Sequence, residues 1–424
     1  MKKIIASAGL VALGAAGLQA AYAPGLSSVQ TSKPWTVSAT LRGFYDDNYT
    51  TAPSGSELFS WGYSISPSVG LNLPMDQTYV GLNYTYGMKY YADRPDHKVD
   101  QSHLFNGVFS HTFSERYSID VRESFVISQE PDIVDPTLAT PFRSNQNNIA
   151  NRVAVDFNAQ LTTVLSLLLG YGNNFVDYSQ DKSNVKPPGS SASLSALLDR
   201  IGQLAKIEMH WQMRPTTMGI LGYQFGQVNH TSNEFLDPPA NTINADIRDA
   251  RSHYVYIGAQ HSFRPDLTGT VRVGGQFTDY YNDPSNQNQV TPYLESSLTY
   301  NYTKGSYFQF GTRHTLNQTD VASYSSATNV TKDQESTTVF GELHHLITPN
   351  LTGSLLGQFQ NSVFNGGPSD GDADKFLLVG LNLTYRFNQF LSAETGLNYD
   401  RLSSDLNNRS YTRNRFYVGV TAAY

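Results

Sequence analysis

The chain has 424 residues, no Cys, 27 Tyr, 22 Phe, only 15% charged residues and a formal net charge of −7, at a mean hydropathy of −0.38. Without cysteine a disulfide-stapled fold is excluded, and a disordered chain would carry more charge and fewer aromatics. Beyond the N-terminus no segment reaches the roughly 18 consecutive apolar residues of a helical membrane span, so a β-rich chain with one polar and one apolar face remains.

Met1-Lys2-Lys3 is a basic start, Ile4 to Leu18 is apolar, and Leu18-Gln19-Ala20 places a small residue at a cleavage position. This pattern predicts a secretory signal peptide over residues 1–20, because the apolar run is too short to span a bilayer. A cut after Ala23 would leave Pro24 beside it, which favours Ala20. Residues 21–34 then form a short periplasmic segment, and 35–424 a single folded unit. No cluster of Lys and Arg points to nucleic acid, which an exported protein would not meet.

From Phe59 to Leu73 every odd position but Pro67 is apolar or aromatic, and every even position is Ser, Gly or Asn. The same alternation runs through Val80, Leu82, Tyr84, Tyr86 and Met88, through Val153, Val155, Phe157 and Ala159, and through Leu377 to Phe387. A period of two over such lengths means long strands with two chemically distinct faces, about twice the ordinary strand of about 5–6 residues. Tight turns are expected near residues 74, 114, 162, 215, 265, 304, 349 and 388. Longer polar loops are expected near 47–58, 92–98, 130–148, 179–200, 230–250, 282–290, 320–332, 365–374 and 404–411. Eight turns and nine loops join eighteen strands, with sixteen to eighteen compatible with the length. Short connections on one side and long ones on the other predict an all-β fold, a transmembrane antiparallel up-and-down β-barrel.

The last strand sets Phe416, Val418, Val420 and Tyr424 on one face and ends on an aromatic. In this terminus and in its alternation the chain resembles bacterial outer-membrane β-barrels, and among them the putative β-barrel porin families of about this length. The resemblance implies outer-membrane lipid around the barrel, and a C-terminal signal at Phe416, Val418, Val420 and Tyr424 read by the barrel-assembly machinery. A β-propeller is the competing fold, since its blades recur every 40–45 residues or so, but its strands are shorter and its turns twice as frequent.

An open barrel of this size leaves an aqueous channel. With a first strand near Trp35 and nothing after Tyr424, neither a plug nor a peptidoglycan-anchoring domain is expected. The function expected is therefore passive diffusion of small polar solutes or ions, with no cofactor, no metal and no enzymatic activity. Parity places Arg42, Lys89, Arg122, Arg152, Lys206, Arg272, Arg313, Arg386, Arg413 and Arg415 on the lumen face, against Asp120, Asp156, Glu208, Glu295, Glu342, Glu394 and Asp400. Such rows orient dipolar solutes and favour anions where Arg dominates. Alternatively they pair across strands and satisfy one another. Arg413 and Arg415 are expected beside Glu394 and Asp400.

Leu194, Leu197, Leu198, Ile201 and Leu204 carry a helical spacing. They form either a constriction loop folded into the pore or a short rim cap before a strand opening at Ile201. Asp370 to Asp374 reads as a solvated acidic loop, lacking the glycine and glutamate of a calcium loop. His344 and His345 fall on opposite faces of a strand and cannot share a metal. A surface adhesin acting through its loops and an outer-membrane hydrolase are the alternative functions. A homo-oligomer is compatible with the composition, because a barrel interface is as apolar as the lipid face.

Overall fold

A computed structural model describes residues 33–128, 147–185, 191–285 and 288–424. The expected signal peptide and most of segment 21–34 lie outside these residues, as does most of loop 130–148. Among the described residues, eighteen strands form one antiparallel sheet and two more form a small separate hairpin.

In chain order the strands are β1 (Trp35–Asp46), β2 (Ser60–Pro74), β3 (Thr78–Tyr91), β4 (Val99–Ser114), β5 (Tyr117–Ser128), β6 (Asn148–Gln160) and β7 (Leu165–Tyr178). After a one-turn helix α1 (Leu194–Leu198) come β8 (Arg200–Arg214), β9 (Thr217–His230), β10 (Ala250–Arg264), β11 (Leu267–Asp279), β12 (Asn288–Thr303) and β13 (Ser306–Gln318). The hairpin β14 (Tyr324–Ser326) and β15 (Asn329–Val330) lies within one long connection. The barrel then resumes with β16 (Asp333–Thr348), β17 (Leu351–Asn365), β18 (Ala373–Arg386), β19 (Leu391–Ser404) and β20 (Tyr411–Ala423).

The sheet closes because β1 pairs with β2 on one side and with β20 on the other, from Ser38↔Ala423 to Asp46↔Arg415. Closure leaves no strand edge, the only way a sheet satisfies every backbone N–H and C=O inside hydrocarbon. Each expected turn and loop falls between consecutive barrel strands. Several turns are two residues long and carry a register shift, as at Thr303↔Ser306. There Gly305 adopts φ +77°, a conformation open to glycine and costly for most side chains.

Because the side-chain period is two, each strand has one row outside and one inside. The outer row is apolar and exposed, as at Trp61, Val255 and Ile257. Aromatic rings occur along that row and at both of its ends. Tyr45 and Trp61 lie 4.7 Å apart and Tyr63 and Tyr90 5.2 Å apart near the long loops. Near the short turns, His111 packs on Phe113 and His261 on Phe263. Rings that are apolar in body and polar at the edge suit the two membrane–water boundaries.

Candidate functional site

The inner wall is identified by reach. Side chains two or three strands apart meet only on the concave side of a closed sheet, where they converge. Arg272 on β11 contacts Glu208 on β8, and Arg42 on β1 contacts Glu394 on β19. The same register places Lys89, Arg122, Arg152, Lys206, Arg313, Arg386, Arg413 and Arg415 on this face, with Asp120, Asp156, Glu295, Glu342 and Asp400.

These charges gather into three groups. On β8 to β12, Glu208 is fully buried and accepts from Arg272 Nε at 3.0 Å, Tyr256 Oη at 2.7 Å and His210 Nε2 at 2.8 Å. Gln224 donates to Tyr256 Oη, and Tyr293 packs on Tyr256 while donating to Glu295 at 3.2 Å. Arg272 also lies 3.7 Å from Glu295. Arg313 is opposite Glu295 in register, yet its side chain is exposed on the inner face, and no carboxylate among the described residues lies within ion-pair distance.

On β5 to β8, Asp156 stands between Arg122 at 3.7 Å and Lys206 at 3.6 Å, while Asp120 accepts from Ser110. Around the closure seam, Arg42 Nε donates to Glu394 Oε1 at 2.5 Å and stacks over Tyr417. Arg415 donates to Asp400 at 2.6 Å. Lys89 lies opposite Ser64, Arg152 opposite Ser124 and Asn174, and Arg386 at the turn end of β18. Glu342 accepts from Tyr307.

Arg413 lies opposite Asp400 in register, as expected, but its side chain turns across the seam: its Nε donates to Asp46 Oδ1 at 2.7 Å, with both groups buried. Parity along β1 reaches Asp46, but nothing local reveals that β20 closes onto β1. Asp100, paired with Arg94, and Asp374 also face inward and were missed. With Asp46 they bring the wall close to charge balance, where the sequence suggested a basic excess.

The long-loop end of this wall is filled by connections folded inward. Ser193 caps α1 by accepting from the Ala196 N–H at 3.0 Å. Leu198 packs on the inward-facing Val176 and Tyr178, with Ala150 against the same cluster. Ala196 joins Leu236, Ile243, Ala245, Ile247 and Val330 in a buried cluster drawn from three different loops. The helix ends at Leu198, not Leu204, because Ile201 and Leu204 already belong to β8, on its opposite faces, pairing with Phe175 and Gly172.

Arg248 ties these loops together. It is fully buried and donates to the carbonyls of Ala196 at 3.1 Å, Leu197 at 2.6 Å and Thr319 at 3.1 Å. Burial, with the positive Arg200 nearby, lowers its pKa to about 10, so it stays charged. Arg409, between β19 and β20, donates to Asp320 at 2.7 and 2.9 Å and to Asp374 at 2.8 Å. Lys332 pairs with Asp283, whose carboxyl is held below the usual range, against the cost of burial, by Lys332 and Ser285. Burial raises Asp199, just after α1, to about 7, against hydrogen bonds from Ser195 and the Tyr178 N–H.

The sequence profile of the family described as Putative beta-barrel porin 2 matches residues 206–424, from within β8 to the C-terminus and just over half of the chain. Among solved structures the chain is similar to the outer membrane protein OpdK from Pseudomonas aeruginosa, at 14% identity and a TM-score of 0.45, covering 92% of this chain and 99% of that one. It is similar also to OccAB4 from Acinetobacter baumannii, at 12% identity and 0.45, covering 94% and 100%. A third similarity is to the siderophore receptor PirA from Pseudomonas aeruginosa, at 10% identity and 0.40, covering 92% and 80%. No curated protein matches the sequence.

Proposed function

Because the chain belongs to the putative beta-barrel porin 2 family, and so is an outer-membrane channel of the porin type, we propose that it passes small polar solutes and ions by passive diffusion, with a mild preference for anions. The family and the fold are those of channels, not enzymes. The observation that carries the anion preference is Arg313. The other inner-wall cations discussed with a partner (Arg42, Arg122, Lys206, Arg272, Arg413 and Arg415) each face a carboxylate within ion-pair distance. Paired groups contribute weakly to the field in the pore, whereas an exposed guanidinium without a counter-ion attracts anions directly.

The loops on the inner side of the mouth act in this reading as the constriction. α1 rests on the inner face of β6 and β7, and Arg248 holds it to loops farther round the rim. Solutes would therefore meet a narrowed entrance before reaching Arg313.

The test is single-channel recording of the refolded mature chain in a planar bilayer, with the reversal potential under a salt gradient. Discrete steps with an anion preference that shrinks in Arg313→Gln are expected. A cation preference in the unaltered channel would overturn the role of Arg313. A folded, heat-modifiable barrel that conducts nothing would overturn the open channel itself.

A further inference from the structure

Three of the outward-facing histidines share one position. His111 on β4, His261 on β10 and His345 on β16 each stand three residues before the last residue of a strand that runs down to a short turn. Two of them open closely similar segments, His261-Ser-Phe-Arg-Pro-Asp-Leu-Thr-Gly269 and His345-Leu-Ile-Thr-Pro-Asn-Leu-Thr-Gly353. The residue two beyond each histidine (Phe113, Phe263 or Ile347) is exposed on the same outer row. Phe263 and Ile347 lie over Gly269 and Gly353, where a Cβ would sit only 3.1 and 3.2 Å from them, so the glycine of each segment makes room for its apolar side chain. Phe113 and Phe263 meet the imidazole edge to face, with ring centres at 4.5 and 4.6 Å.

The three rings are held alike, at one nitrogen. Nδ1 of His111 lies 2.7 Å from Thr78 Oγ1, that of His261 2.9 Å from Thr217 Oγ1, and that of His345 2.7 Å from Tyr302 Oη. Thr78 and Thr217 are the register partners of their histidines. Each hydroxyl has one proton to place, and among the described residues Nδ1 is the acceptor it meets. The ring proton then belongs on Nε2, which has no partner among the described residues. At about 3.3 Å rise per residue and about 40° tilt, the rings stand roughly 8 Å above the turns. Lipid covers this row, because the chain is an outer-membrane channel. An exposed apolar side chain separates each ring from the periplasm, so the headgroup phosphates lie below it. Acyl chains higher up offer no acceptor. Between the two lies the glycerol region of a phospholipid, whose ester carbonyls accept hydrogen bonds.

We propose that His111, His261 and His345 are lipid-binding sites of the periplasmic leaflet, each donating from Nε2 to an ester carbonyl of a bound phospholipid. The sites rest on the outer-membrane location alone and leave the pore reading untouched; conductance tests that reading separately.

The test compares ester-linked phosphatidylethanolamine with its diether analogue, which keeps the headgroup and chains but lacks the carbonyls. Each lipid is added to the folded protein in mild detergent, and the bound copies are counted by native mass spectrometry. The unaltered protein should retain the ester lipid roughly two- to tenfold better per site, the worth of an ordinary hydrogen bond. The triple variant His111→Phe, His261→Phe and His345→Phe keeps a ring at each place and should hold both lipids alike. Nitrogen NMR of labelled histidine rings in ester-lipid vesicles, taken as the difference between the unaltered protein and this variant, should show Nε2 protonated and Nδ1 bare. Equal retention of the two lipids by the unaltered protein overturns the proposal, since the acceptor is then a phosphate or nothing. So does an ester preference that survives the triple change, or a proton found on Nδ1.

Discussion

Arg272 and Glu208 lie three strands apart in the sheet, yet Arg272 Nε is 3.0 Å from Glu208 Oε1, and Glu208 has no solvent exposure. The contact exists because the wall curves, and Tyr256 and His210 supply the remaining hydrogen bonds to the carboxylate. Removing one partner of such a pair leaves a buried charge without compensation, which costs about 3–5 kcal/mol. Arg272→Ala should therefore lower the urea midpoint of the folded barrel clearly, while Arg272→Met with Glu208→Leu should recover most of the loss. Equal destabilisation by the single and the double change would show that packing, not charge, governs this cluster.

Arg248 should act on the mouth and not on the barrel. Its guanidinium serves three carbonyls on two loops, each bond from a charged donor contributing about 1.5–3 kcal/mol. Arg248→Ala should loosen α1 from its neighbours, giving larger and noisier single-channel steps at an unchanged unfolding midpoint of the strands. Identical conductance in the variant would mean that these loops do not limit the current.

Asp199 makes the same loops sensitive to pH. In the folded protein its carboxyl is raised to about 7 from an ordinary value near 3.8, chiefly by burial, with the neighbouring Asp177 adding repulsion. A raised carboxyl binds its proton more tightly when folded. Its stabilising effect is thus complete below about pH 4 and is lost as pH climbs through about 7. Hydrogen-exchange protection in residues 194–199, taken relative to the intrinsic rate at each pH, should be greater at pH 5 than at pH 8, with fewer full-conductance openings at the lower pH. Asp199→Asn should flatten that difference, and an unchanged pH profile in the variant would rule the residue out.

The C-terminus combines packing with the role expected for it in assembly. Tyr424 lies 5.5 Å from Trp35 and 6.2 Å from Phe390, with Lys33 Nζ 4.4 Å over its ring. Phe416, Val418 and Val420 face outward on the same strand. Tyr424→Ala should cost refolding in detergent only about 0.5–1.5 kcal/mol, the worth of an aromatic contact. In cells the heat-modifiable fraction should fall much further if the terminal aromatic is read by the assembly machinery. Parallel losses in the two settings would reduce Tyr424 to a packing residue.

Much of this was legible in the residues themselves. The alternation at Phe59–Leu73 and Leu377–Phe387 marks β2 and β18 because strand geometry alone sends neighbours to opposite faces, and Lys304-Gly305 marks a turn because of the conformation glycine permits. The stretch from Leu194 to Leu204 is ambiguous for a physical reason: its first half is helical and its second half lies in β8, where Ile201 and Leu204 take opposite faces, so one spacing runs across two elements.

Alternation is a property of a few adjacent residues, and it determined the strand count, the two faces and the membrane class. What each inward charge touches depends instead on the curvature and closure of the whole sheet. Asp46 meets Arg413 only because β20 closes onto β1, and Arg272 meets Glu208 only because the four strands β8 to β11 bend toward a common axis. The inward fold of α1 and the exposed Arg313 belong to the same category. These relationships join residues far apart in sequence, and no local spacing encodes the distance between them.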